Sequence, residues 1–262
     1  MATLALKVLD KDGKTICVSS SENEVNLVCT SEYKEGDRIV LETHEKELYV
    51  WIQVDDALGA SLCYVTGNVS FNVPFGEHRI CYSPKCFSGN RHYLYAKVAR
   101  EDEIKAYRNL ALNVLDVHGE VNCFPHAFAN VETRGESVFA ARNAIDGVTE
   151  NRSHGEWPYE SWGINMQDDA EMTVDFGRDV LVDKVVLYTR SDFPHDNWWQ
   201  QVTLQFSDGE EIDWKLEKSQ LPHVLEISEK KIKWVKLYKL IKADDPSPFP
   251  ALSQIEVYGH DL

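Results

Sequence analysis

Basic residues are scarce in this chain, and no run of them relieves its acidity: 43 Asp and Glu stand against 27 Lys and Arg, a formal charge of -16. Such a surface repels polyphosphates and anionic bilayers, which argues against nucleic acid and membrane partners. Long apolar runs are missing too, since no stretch approaches the roughly 20 apolar residues that a membrane span requires. The opening segment from Met1 to Asp10 has neither the basic start nor the long apolar centre of a secretory leader. As it stands, the chain is expected in the cytoplasm, and outside the cell if a leader has been removed. Cysteine does not occur after Cys123, and the irregular spacing of Cys17, Cys29, Cys63, Cys81, Cys86 and Cys123 favours reduced, mostly buried thiols over a disulfide framework.

Signatures of catalysis are also lacking. Gly-x-Ser-x-Gly, His-Glu-x-x-His and glycine-rich phosphate loops do not occur. Asp175-Phe176-Gly177 spells a kinase tripeptide without the phosphate loop or catalytic loop that would give it meaning. Cys81 and Cys86, with His78 and His92, lack the paired spacing of a zinc site.

Long helical periodicity is nearly absent. Instead the chain alternates apolar and polar residues between turn signals, the pattern of an all-β protein. A length of 262 residues suits two mid-sized domains, each with its own core. In the first hundred residues the alternation predicts strands near Glu24 to Thr30, Asp37 to Thr43, Glu47 to Val54, Ser61 to Thr66 and His92 to Ala99, an antiparallel β-sandwich of unknown role. The charged segment Arg100 to Lys105 reads as a short helical turn or a linker, which divides the chain into 1–105 and 106–262.

In the second unit Met172, Val174 and Phe176 alternate with polar residues, and Val185 to Tyr188 suits a strand buried on both faces. Val202, Leu204 and Phe206 precede Ser207-Asp208-Gly209, a turn that folds the chain back into a strand ending at Trp214. Trp234, Leu237, Ile255 and Val257 complete the apolar set of a jelly-roll of about eight strands.

Landmarks recur here in a fixed order. They are Asn109-Leu110-Ala111-Leu112, Asn143-Ala144-Ile145-Asp146-Gly147, a Trp-bearing loop, Val174-Asp175-Phe176-Gly177, a strand ending at Arg190, a hairpin, and Ile255-Glu256-Val257-Tyr258-Gly259. In this order they resemble the discoidin, or coagulation factor 5/8 type C, domain and its galactose-binding-like carbohydrate-binding relatives. The resemblance implies a lectin-like jelly-roll that binds a glycan or oligosaccharide without catalysis. It also implies a structural calcium ion, held by Asn143 and Val148 through carbonyls and by Asp146 and Glu256 through carboxylates, with Ser153 or Ser161 as an added oxygen donor.

Sugar recognition needs a flat apolar surface beside planar polar groups. Three loops supply both. The first, His154 to Trp162, offers His154, Trp157 and Tyr159; the second, Arg190 to Trp199, offers Arg190, His195, Asp196, Asn197 and Trp198; the third, Pro246 to Pro250, holds Phe249 on a proline-fixed turn. Trp157 and Phe249 are the expected stacking surfaces, with Arg190, Asn197 and His154 as hydroxyl partners. Two other readings compete: a glycoside hydrolase using acids such as Glu156, Glu160, Asp192 or Asp196, and an assembly module whose aromatic loops join chains, as in a homo-oligomer.

Overall fold

The computed structural model describes residues 1–150, 155–191 and 196–262. Eight strands build the first sandwich: β1 (Thr3–Leu9), β2 (Thr15–Glu22), β3 (Glu24–Cys29), β4 (Arg38–Thr43), β5 (Leu48–Gln53), β6 (Ser61–Val65), β7 (Val69–Asn72) and β8 (His92–Val98). The five predicted strands all form, with ends shifted by one residue at most. Alternation decides which side chains turn inward: Leu4, Leu6 and Val8 of β1 face Val25, Leu27 and Cys29 of β3 across one core. One sheet runs β2-β1-β4-β7. The facing sheet, β6-β5-β8-β3, gains an edge strand from later in the chain, Cys123–Phe124.

Cys17 and Cys29 are joined by a disulfide, with Cα atoms 5.8 Å apart. They lie on β2 and β3, the edge strands of the two facing sheets, so the bond closes one side of the sandwich. This corrects the expectation of reduced thiols throughout; Cys63, Cys81, Cys86 and Cys123 are free and buried.

A single-turn helix, α1 (Glu101–Ile104), follows, with the Glu103 side chain accepting from the Arg100 backbone at 2.8 Å. Past it the two cores interleave. β9 (Arg108–Asn109) pairs with the last strand, while β10 (Cys123–Phe124) returns to pair with β6. Val114, Leu115, Cys123, Val138 and Tyr159 join the first core although they lie beyond residue 105.

The second sandwich is built from β11 (His126–Ala129), β12 (Trp162–Gly163), β13 (Met172–Thr189), β14 (Trp199–Phe206), β15 (Glu211–Lys215), β16 (His223–Lys242) and β17 (Ala251–Asp261), all antiparallel, with β9 added at one edge. The two apolar runs expected as separate strands, Met172 to Phe176 and Val185 to Tyr188, are parts of the one strand β13. Register shifts at Asp175/Val180 and Val182/Lys184 bend it. Trp162, Trp199, Phe176 and Phe206 fill the interior with Leu237, Ile255 and Val257. Trp234 is only half-buried; Val235, beside it, faces inward.

Gly259 sits opposite Val182, where a Cβ would come within 1.9 Å of the Leu181 carbonyl oxygen. The closing motif therefore ends in glycine for want of space.

Candidate functional site

Strand ends and the loops between them create a cavity of about 220 Å³ on the second sandwich. The end of β13 delivers Arg190, whose backbone N–H donates to Ala251 O at 3.2 Å. Proline-flanked Phe249 forms one wall, and the residue is 47% exposed. The chain around Asn197 runs beside the third loop, because Asn197 N–H donates to Phe249 O at 3.3 Å and Asn197 bridges to Pro250. Ile164, Met166 and Phe139 complete an apolar lining.

At the base lies an ion pair. Arg190 Nε donates to Asp196 Oδ2 at 3.1 Å, both side chains being buried, and Arg190 Nη1 donates to the Tyr159 carbonyl. Burial pulls the guanidinium pKa below its ordinary value, and Asp196 opposes that pull. Ser161, also on the lining, has a buried hydroxyl with no hydrogen-bond partner among the described residues.

Of the expected ligand residues, Arg190, Asp196 and Phe249 meet at this cavity. Asn197 stands apart from it, fully buried; its Nδ2 donates to Ala243 O and its Oδ1 accepts from Trp198 N–H. That amide shapes the loop and is already used. Trp198 is half-buried, and its carbonyl accepts from Ala243 N–H. Tyr159 is 7% exposed and packs in the first core, so its part at the cavity is the carbonyl that holds Arg190. Trp157 is partly exposed but lines a different cleft, beside Tyr82, Pro84 and Arg79 of the first sandwich. The structure therefore does not bring the two expected stacking rings together. His154 and His195 lie outside the described residues, as do Ser153 and Asp192.

The sequence did not single out Thr133, Arg134, Phe139, Ile164 or Met166, which line the cavity from segments with no motif of their own. The nearest signal was Gly163. A Cβ there would meet Thr133 Oγ1 at 2.6 Å and Phe139 Cβ at 3.2 Å, which marks a close approach of these segments.

Asn143, Asp146 and Val148 share one loop at the junction of the sandwiches. Val148 N–H donates to Asp146 Oδ1 at 2.9 Å, and the Asn143 side chain is held by Ser137 O and by Arg142 Nη1. Arg142 reaches from this loop to Asp116 O and lies over the Tyr82 ring, its Nη1 3.8 Å from Asp146 Oδ2. Glu256 is not part of the group: it sits opposite Val186 and accepts from the Tyr258 hydroxyl at 3.1 Å. Gln254, nearer the strand's start, reaches the loop instead, its Oε1 accepting from Gly147 N–H at 3.1 Å.

Burial, opposed by Arg142 and reinforced by Glu160, pushes the Asp146 carboxyl up to about 7. Glu160 is likewise raised by burial. Asp146 and Glu160 are both buried, and the nearby Arg142 guanidinium already donates to the Asp116 and Val114 carbonyls and to Asn143 Oδ1.

No protein-family model and no curated protein matches the chain. Solved structures similar to it include carbohydrate-binding modules. Chitosan-binding module 1 of a chitosanase/glucanase from Paenibacillus sp. IK-5 is 19% identical, with 58% of this chain and 98% of that one covered and a TM-score of 0.41. The family 32 module of C. perfringens NanJ, solved with galactose, is 18% identical over 50% of this chain and 91% of that one, TM-score 0.39. The lectin domain of lectinolysin, solved with Lewis B antigen, is 20% identical over 57% and 94%, TM-score 0.40. At such identities a likeness concerns the fold alone.

Proposed function

We propose that the second sandwich binds a glycan without catalysis, in the cavity between Phe249 and the Arg190–Asp196 pair. The observation that carries this reading is the juxtaposition of an exposed ring and a buried ion pair on one lining. A pyranose presents a C–H face and a rim of hydroxyls, which calls for these groups together. Phe249 stacks on the C–H face, while Asp196 engages hydroxyls, with Arg190 fixing the carboxylate. His154 and His195, outside the described residues, keep their proposed role as polar partners.

Hydrolysis by paired carboxylates is the weaker reading. Among the described residues, Asp196 is the one acid on the lining, and it is ion-paired. Both standard mechanisms need two carboxyls flanking the bond.

Calcium belongs to the same proposal: Asp146 and Glu160, with the carbonyls of Asn143 and Val148, would hold it. When bound, it supplies structural cross-linking and charge neutralisation at the base of the loops. The test of the main reading is retention on immobilised glycans by the wild-type chain and by Phe249→Ala. Retention lost in the variant supports the site, and equal retention removes it.

A further inference from the structure

We propose that Asp55, Asp56 and His92 form a binding site for a divalent first-row transition metal in the first sandwich, apart from the glycan cavity and the Asp146 loop. Antiparallel pairing of β5 with β8, Gln53 opposite Tyr95, sets the residues just after β5 beside the first residue of β8. One imidazole nitrogen and a carboxylate oxygen from each aspartate thereby lie within 4.8 Å of one another. Asp55 and His92 are buried, at 2% and 1% exposure, while Asp56 is exposed and leaves the site open to entry from solvent.

Hydrogen bonding sets the tautomer of His92. Its Nε2 lies 3.2 Å from Gly89 O, an acceptor, so this nitrogen carries the proton. Nδ1 then turns a lone pair toward Asp55 Oδ2, 3.7 Å away. Two lone pairs facing one another at that distance share no proton, yet the gap is close to the about 3.4 Å that separates two ligands of a tetrahedral ion with bonds of about 2.0–2.2 Å. A metal between them satisfies both.

Tyr33 points to the same place independently. Its ring stacks on His92 with centroids 3.9 Å apart, and the residue is 5% exposed. Among the described residues its hydroxyl has no hydrogen-bond partner. Among the described residues, neither carboxylate forms an ion pair with a lysine or arginine; His92 is the only basic partner of Asp55. A mixed nitrogen and oxygen donor set with two negative charges suits zinc, cobalt or manganese better than calcium.

Backbone hydrogen bonds hold the site in shape. Asp55 Oδ1 accepts from Ala57 N–H and Oδ2 from Phe87 N–H, each at 2.9 Å, which orients its carboxylate toward His92. Asp56 Oδ1 accepts only a long contact from Tyr93 N–H, at 3.4 Å.

The experiment is metal binding by the untagged full chain, stripped with chelator and titrated with Zn²⁺ and with Co²⁺. The proposal expects one equivalent of zinc, a cobalt spectrum showing nitrogen and oxygen ligation, and affinity weakened at least about tenfold in Asp56→Asn and in His92→Gln. Asp146→Asn leaves zinc binding unchanged. Should His92→Gln fail to fold, the exposed Asp56→Asn still decides. Absence of zinc binding at micromolar concentrations, or binding equal in wild type and Asp56→Asn, overturns the proposal.

Discussion

Arg190 Nε donates to Asp196 Oδ2 at 3.1 Å beneath the cavity, and neither side chain is more than 7% exposed. The pair links the end of β13 to the loop before β14, so it is part of the fold as well as of the candidate site.

Removing one partner of a buried pair strands the other charge, at a typical loss of about 3–5 kcal/mol. Arg190→Ala is therefore expected to destabilise the protein by an amount of that order, in contrast to the view of Arg190 as a surface ligand group. Denaturant unfolding measures it; a loss near zero would show that the pair is solvated.

Phe249 is exposed, so its removal separates binding from folding. Phe249→Ala should weaken glycan binding about tenfold or more, as expected for a lost stacking platform, with the melting temperature almost unchanged. Trp157→Ala, on the other cleft, should leave affinity within about twofold. Titration calorimetry with any glycan that the wild type retains reads both.

His126 Nδ1 lies 2.6 Å from Asp116 Oδ1 at the junction of the two sandwiches. Burial pulls the imidazole down, but the carboxylate outweighs it and holds His126 above its ordinary value. A folded-state pKa raised in this way contributes stability that is complete below the unfolded pKa and is lost as pH rises through the folded one. Stability should thus fall from pH 6 to pH 8 in wild type, and this part of the slope should vanish in His126→Gln. Denaturation midpoints across that range provide the check.

Calcium at the Asp146 loop should raise the melting temperature, since a ligand at about 100 times its Kd stabilises by about 2.7 kcal/mol. Asp146→Asn should abolish the rise, and Glu256→Gln should leave it intact. An unchanged melt with calcium and with chelator would remove the ion.

Much of the fold was legible in the chain because alternation and turn chemistry are local. The five predicted strands of the first sandwich and the hairpin at Ser207-Asp208-Gly209, where Gly209 has a φ of 92°, needed nothing from far away. β1, β2 and β7 were missed. β2 shows why: its Thr15–Glu22 run is largely exposed and polar, and so carries a weak apolar signal. The disulfide was also out of reach, because what joins Cys17 to Cys29 is the meeting of two sheet edges.

The site was legible in residue type more than in direction. Phe249, Arg190 and Asp196 were named, and they meet. Tyr159 and Asn197 were named for their chemistry, but packing against the first core and the Ala243 carbonyl turned them inward. Strand position separated Glu256 from the loop and placed Gln254 there, a distinction that depends on register rather than composition.

A glycan array probed with the wild-type chain and with Phe249→Ala is the most direct test of the central claim. The account predicts a defined set of glycans bound by wild type and lost in the variant, with both proteins equally folded. No glycan bound by wild type, or the same set bound equally by both, would contradict it.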